Sequence, residues 1–290
     1  MTQPFAEGWS SEVMHEHGST FSLKVTAKLD SVQSKYQLIE IYDTETYGKL
    51  MVIDGSNMVT TRDNFLYHEM LAHTALFTHP DPRRVLIIGG GDCGTLREVL
   101  KHPTVEKVWQ IDIDEMVTRM SEKYFPELCE SNHDPRANIM FADGIQWIKD
   151  CEAGSLDVII VDCTDPVGPA VGLFAEDFYR DCLRALGSKG LLMQQSESPL
   201  YHTNTIIKQM HIDLSNAGAG SSHTVPFPQP IYPTGWWSCT MASQDLDVTS
   251  FRIEDSAEKP FRTEYYNAEI HAAALAVPEF MRRALGMGDD

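Results

Sequence analysis

The hydrophobic positions of this chain change their period near residue 63. Ahead of that point Phe21, Leu23, Val25 and Ala27 alternate with polar neighbours, and the runs 36–42 (YQLIEIY), 50–53 and 57–61 extend the two-residue repeat of half-buried strands. The ETYGK segment and Asp54-Gly55 supply turns between them, the second being a strong hairpin signal. Residues 1–61 therefore read as a small antiparallel β unit. Beyond it Phe65, Leu66, Met70, Leu71, Ala75 and Leu76 recur at helical spacing, with Asp63 as the expected N-cap and Pro80-Asp81-Pro82 as the stop.

From residue 85 the pattern alternates between strands and helices. A hydrophobic strand runs into Gly89-x-Gly91-x-x-Gly94 and a helix follows; further strands are expected at 108–111, at 138–144 (NIMFADG) and at 157–162. A helix at 176–186, a strand at 190–194 and a helix at 203–214 continue the series, and that rhythm predicts a parallel sheet. The four apolar residues 158–161 suit a central strand covered on both faces. Residues 223–242 turn β-like again, and the tail YYNAEIHAAALAVPEFMRRAL reads as helical, with its alanines and Leu275 packing. With no long linker beyond residue 61, residues 62–290 read as one catalytic domain behind the N-terminal unit.

Charge narrows the partners. With 42 acidic residues against 23 Lys and Arg, the net charge of −19 repels nucleic acid and anionic membrane surfaces and attracts small cations. The six cysteines (Cys93, Cys129, Cys151, Cys163, Cys182, Cys239) form no CxxC pair, and the first residues carry no secretory signal, so a cytoplasmic, reducing setting is expected. HEMLAH invites a zinc reading. Its histidines, His68 and His73, are five apart, about 140° around a helix instead of the about 40° of a zinc-binding pair, so no metal site is expected.

Candidate chemistry gathers at the ends of the predicted strands. Open α/β sheets bind ligands beyond their strands' carboxyl ends, where this chain carries the GxGxxG turn, then Asp112, Asp143, and the pair Asp162 and Asp165. Gly89 and Gly91 permit close backbone approach, and Asp112 lies about 20 residues on, where an acid can accept bonds from ribose hydroxyls. That arrangement fits a dinucleotide or a sulfonium nucleoside. Asp92, inside the glycine loop, would repel a pyrophosphate and attract a cation, which favours the sulfonium. It is also poorly placed for a cofactor tail with a carboxylate and well placed for one bearing only an ammonium, as in decarboxylated S-adenosylmethionine. Asp162 and Asp165 would then face a second amine, with Tyr67, Tyr232 and Trp237 walling in its methylenes.

The motifs TTRDNFLYHEM, GGGDCGTLRE, DVIIVDCTDPVGP, PIYPTG and YYNAEIHAAALAVPEF resemble those of the polyamine aminopropyltransferases, and the likeness covers nearly the whole chain. The resemblance implies a Rossmann-like parallel sheet of the S-adenosylmethionine-methyltransferase type behind a small antiparallel β domain. It implies transfer of an aminopropyl group from decarboxylated S-adenosylmethionine, as co-substrate, to an amine, most often putrescine, with no prosthetic group and no metal. Asp162 is then expected to take or direct the amine's proton, and Asp165 to hold the substrate's amines. Gln37, Asp112, Asp143, Gly144 and Pro169 are expected to contact the nucleoside, with Gly89 and Gly91 beside them. His68 and Asp92 are expected to bind amine, Tyr67 and Tyr232 to surround the attacking nitrogen, and the 166–172 loop to close over the substrates. Family members are commonly homodimers or homotetramers.

The chain departs from the family pattern at Met58, where a Gln is common, at Thr61 and Asn64, which replace glutamates, and at Asp112, which replaces a Glu. These positions leave the acceptor open among polyamines. An ordinary S-adenosylmethionine methyltransferase shares the sheet, and a non-catalytic polyamine or nucleoside sensor shares the motifs; both stay as alternatives at this stage.

Overall fold

A computed structural model describes residues 8–166 and 168–287. Among these residues the chain forms two sheets. The first is antiparallel and five-stranded in sequential order, β1 (Trp9–Met14), β2 (Ser19–Gln33), β3 (Leu38–Thr44), β4 (Lys49–Ile53) and β5 (Ser56–Thr60). Asp54 and Gly55, both at positive φ, turn β4 into β5, as the Asp-Gly signal predicted. The alternation through β2 holds only in part: register shifts between Val25 and Ala27 and between Lys28 and Asp30 turn Ala27 to solvent while Leu23 stays buried.

The chain then enters α1 (Asn64–Thr78), followed by β6 (Arg84–Gly89), α2 (Gly94–Leu100), β7 (Lys107–Asp112), α3 (Glu115–Tyr124), β8 (Ala137–Phe141), α4 (Gly144–Asp150), β9 (Val158–Asp162), α5 (Glu176–Leu186) and β10 (Leu191–Gln195). β11 (Ser221–Pro228) and β12 (Trp236–Ser243) complete a seven-stranded sheet in the order β11-β12-β10-β9-β6-β7-β8. The five strands β8, β7, β6, β9 and β10 run parallel, and β12 and β11 join antiparallel. This is a Rossmann-like sheet of the methyltransferase type. Because β6 leads toward β7 on one side while its neighbour β9 leads toward β10 on the other, the connections diverge at the carboxyl ends of β6 and β9. A crevice opens there.

Val158, Ile160, Val85 and Ile87 point into the core under α1 and α2, whereas Ile159, Val161, Leu86 and Ile88 pack on Phe178, Tyr179 and Cys182 of α5. Both faces of β9 are therefore covered, which explains its uninterrupted apolar run.

Three local expectations need correction. Asp63 precedes α1 but makes no side-chain cap; its carboxylate takes the Thr60 hydroxyl instead. α1 itself is buried without a break from Tyr67 to Thr78. The C-terminal segment covers its outer face: Glu69 accepts the backbone N–H groups of Glu264, Tyr265 and Tyr266, and Arg252 donates to the Leu76 carbonyl. The tail is two short helices, Ala268–Ala274 and Glu279–Leu285, separated before Pro278, and of its alanines Ala274 is buried while Ala272, Ala273 and Ala276 face solvent. The helix expected at 203–214 spans Pro199–His202, a π turn at Thr203–Ile207 and Lys208–Ala217. No helix of the described residues is long and apolar enough to cross a membrane.

Candidate active site

Backbone contact welds the glycine loop to the end of β9. Gly89 pairs with Asp162, and the Gly90 N–H donates to the Asp162 carbonyl at 2.7 Å. A Cβ on Gly89, which sits at φ +83°, would lie 2.1 Å from that carbonyl oxygen, so any side chain would push the strands apart. Gly91 is constrained from the other side: its Cβ would meet the Asp112 carboxylate at 2.7 Å and Val117 at 2.9 Å.

Around this junction lies a cleft of about 490 Å³. It brings together the expected residues Gln37, Tyr67, Gly89, Gly91, Asp92, Asp112, Asp143, Gly144, Asp162, Asp165 and Tyr232. Its inner end narrows to a space of about 30 Å³ among Glu12, Asn57, Asp165, Gln195, Tyr232 and Trp237. Pro169 falls in the short helix Gly168–Phe174, whose Gly168, Ala170 and Leu173 line the cleft; the Pro169 side chain lies outside the described structure.

Asp162 stands at the middle of this space with both carboxylate oxygens engaged. Tyr67 of α1 donates to Oδ1 at 2.8 Å, and Thr95 of α2 donates to Oδ2 at 2.6 Å. Burial pushes the Asp162 carboxyl above its usual range, and the negative Asp92 adds to the rise, while His68 and the two hydroxyls oppose it. Asp92 goes the other way. Burial alone would raise it, but His68 Nε2 at 3.1 Å and the Gly94 N–H at 2.8 Å outweigh that and hold it below the ordinary carboxylate range. An ionised Asp92 thus faces the cleft beside a more basic Asp162.

At the nucleoside end, Asp112 is pushed up to about 6 by burial, even though it accepts the Asp114 N–H at 2.8 Å. Asp143 caps α4 by accepting from the N–H groups of Ile145 and Gln146. The Gln37 amide donates to Asp114 at 3.0 Å, tying the first sheet to the start of α3.

Two expectations change in detail. His68 is brought to Asp92 but not to the cleft wall; it is 2% exposed, so its effect on any ligand passes through Asp92. The Tyr232 hydroxyl is spent on the Met58 carbonyl at 2.7 Å, leaving the ring, packed edge-on to Trp237 with centroids 4.8 Å apart, as its contribution to the cavity. Trp237 lines the inner pocket, and its buried indole N–H finds no hydrogen-bond partner among the described residues.

Sequence reasoning missed Glu12, Asn57, Thr95, Gln195 and Glu197. Glu12 reaches the inner pocket from β1, where both the N–H and the side-chain amide of Asn57 donate to its Oε2 at 3.0 Å. Burial raises its pKa to about 7, and the neighbouring Asp165 adds to the rise against the Asn57 bonds. Asp165 and Glu197 are likewise raised by burial and lie against one another. A strand residue in an alternating run gives no sign of such burial. Only Thr95, the first residue after the GxGxxG turn, had a signal worth reading.

This arrangement is a nucleoside-sized cleft at a sheet switch point, lined by carboxylates and adjoined by a small acidic pocket, and its charge favours cationic ligands. Comparison with known proteins makes the class specific. Residues 64–252 match the family model described as the spermine/spermidine synthase domain, and residues 8–61 match the one described as the spermidine synthase tetramerisation domain. Polyamine aminopropyltransferases of Methylococcus capsulatus and Thioalkalivibrio sulfidiphilus are 59% and 58% identical, over 97% and 96% of this chain and 98% and 97% of their own. A solved spermidine synthase bound to the transition state analogue AdoDATO superposes with a TM-score of 0.93 at 36% identity, covering 99% of this chain and 98% of that one. The spermidine synthase of Thermotoga maritima gives 0.91 at 36% identity, covering 99% and 97%. The chain belongs to the spermine/spermidine synthase family, the polyamine aminopropyltransferases, and the resemblance drawn from its motifs is borne out.

Proposed function

We propose that this chain transfers the aminopropyl group of decarboxylated S-adenosylmethionine to a short diamine, with putrescine the acceptor and spermidine and methylthioadenosine the products. The observation that carries the reading is one basic carboxylate, Asp162, set beside both the nucleoside-sized cleft and a small pocket lined by Glu12 and Asp165. A diamine has a pKa near ~10 by analogy with lysine and arrives protonated. Glu12 and Asp165 hold its far ammonium, and Asp162 receives the proton of the near one. The freed nitrogen lone pair forms the new N–C bond to the carbon beside the sulfonium, the C–S bond breaks, and its electron pair neutralises the sulfur. The proton leaves through Asp162 to solvent.

Gln37, Gly89, Gly91, Asp112, Asp143, Gly144 and Pro169 form the nucleoside end in this reading, and Asp92, steadied by His68, attracts the ammonium of the aminopropyl tail. Tyr67 orients Asp162, while Tyr232 and Trp237 wall the acceptor's methylenes. In this reading the stretch 166–172, of which Val167 lies outside the described residues, closes over both substrates. Alignment of nitrogen, carbon and sulfur supplies most of the acceleration, since the polar groups are already in position.

The division into an N-terminal β domain and a catalytic domain, a cytoplasmic site of action, and a homotetramer built through the first sheet belong to the same reading. Light scattering on the purified protein tests the tetramer. The decisive experiment offers decarboxylated S-adenosylmethionine with diamines of three to five carbons and with spermidine, and identifies products by mass spectrometry. Spermidine and methylthioadenosine from putrescine are expected. A methylated product from S-adenosylmethionine, or binding of methylthioadenosine with no transfer to any amine, would replace this reading with a methyltransferase or a sensor.

A further inference from the structure

Both oxygens of Asp162 are bonded, but their surroundings differ. Oδ1 accepts from Tyr67, whose ring lines the cleft. Oδ2 accepts from Thr95 at 2.6 Å, and the backbone of Gly90 closes over the same oxygen, so tightly that a Cβ there would stand 3.0 Å from it. Thr95 is fully buried in the first turn of α2 and is no part of the cleft wall. A helical threonine commonly returns its hydroxyl to the carbonyl four residues back. Here that carbonyl, Gly91, is occupied by the Thr118 hydroxyl at 2.9 Å, and Thr95 donates across to β9.

We propose that Thr95 is a positioning residue for the transfer reaction: by engaging Oδ2 on its enclosed side it fixes the rotation of the Asp162 carboxylate and leaves Oδ1 as the oxygen that meets the amine. This inference rests on the aminopropyl transfer proposed above. The hydroxyl has a second effect of known sign. A donor to the ionised form favours that form, so Thr95 and Tyr67 both oppose the rise that burial and Asp92 cause at Asp162. The titratable groups that face Asp162 are Tyr67 and His68 of α1, Asp92 of the glycine loop, Asp112 at the end of β7, Cys163 beside it, and Tyr232. Among the described residues, the side-chain hydrogen bond to Oδ2 comes from Thr95 and that of Tyr67 goes to Oδ1.

Thr95→Val keeps the shape and removes the donor; Thr95→Ser keeps the donor. In the full-length enzyme Thr95→Val is expected to lower kcat about tenfold or more near pH 7 with both KM values within about twofold, and to move the acid limb of the kcat/KM profile up by about one pH unit. Thr95→Ser is expected to recover both. A carboxyl carbon NMR titration, with Asp162 assigned through Asp162→Asn, is expected to report the same upward displacement in Thr95→Val without any turnover. Failure of the wild type to make spermidine would overturn the transfer reading, whereas the titration would still judge the Thr95 contact. An unchanged kcat and unchanged Asp162 titration in a folded Thr95→Val, or a Thr95→Ser as impaired as Thr95→Val, would overturn the proposal.

Discussion

Replacing Glu12 by Gln should make the ligand-free protein more stable and the enzyme worse. Glu12 is 7% exposed, and burial raises its pKa from the ordinary 4.5 to about 7. Below pH 4.5 the group is neutral folded and unfolded, and no penalty exists. As pH rises from 4.5 to about 7 the unfolded chain ionises while the folded one keeps its proton, so stability falls; above 7 the loss is constant. At about 1.4 kcal/mol per pH unit the full penalty is ~3 kcal/mol. Gln retains an oxygen for both Asn57 donors, so Glu12→Gln removes the penalty without breaking those bonds. For a chain of this size about 2 °C per kcal/mol gives a rise of ~6 °C in apparent Tm at pH 8, shrinking toward zero at pH 4.5. Loss of a charge-assisted bond to the ammonium costs about 1.5–3 kcal/mol, a ten- to hundredfold higher KM for the diamine. Differential scanning fluorimetry across pH 4.5–8 and steady-state kinetics read the two arms. A variant with no gain at pH 8, or with a gain independent of pH, would refute the ionisation argument; an unaltered diamine KM would remove Glu12 from the acceptor site.

Asp162→Asn should reduce transfer by about 10²-fold or more while methylthioadenosine binds with near-normal affinity by calorimetry; near-normal turnover would end its assignment as the proton acceptor. Gly91→Ala should weaken the nucleoside about tenfold, because its Cβ would displace the Asp112 carboxylate, 2.7 Å away, and Val117 from the cleft wall. Trp237→Leu should deepen the inner pocket and shift the kcat/KM ratio toward spermidine as acceptor by about tenfold, read by competition between the two amines; an unchanged ratio would place the length limit elsewhere.

Much of the fold was legible because its signals are local. The helix Glu176–Leu186 carries acids in its first turn, an arginine in its last and a glycine just after, and it forms where the pattern put it. β9 and the glycine turn were legible for a similar reason, since a fully buried parallel strand and a positive-φ glycine each leave a mark on a few consecutive residues. Features made by distant partners were not. α1 has no polar face to read because the segment around Glu264 to Tyr266 covers it, turning Glu69 into a buried acceptor. Glu12 sits in β1 with intermediate-burial neighbours, and only the approach of Asn57 from β5 and of Asp165 from the second sheet gives it chemistry. His68 could be assigned to the site but not to its layer, because whether an imidazole faces a ligand or a carboxylate is decided by the loop packed on it.

The acidic pocket draws Glu12 and Asn57 from the first sheet and Asp165 from the second, whereas the glycine loop, Asp112 and Asp143 all hang from the second. Both pockets are thereby walled by the two sheets together. Substitutions along residues 8–61 reach the acidic pocket through Glu12 and Asn57 and the nucleoside end through Gln37. The same stretch matches the family model described as a tetramerisation domain. A change there that alters the acceptor is therefore also made in the part of the chain through which subunits would meet.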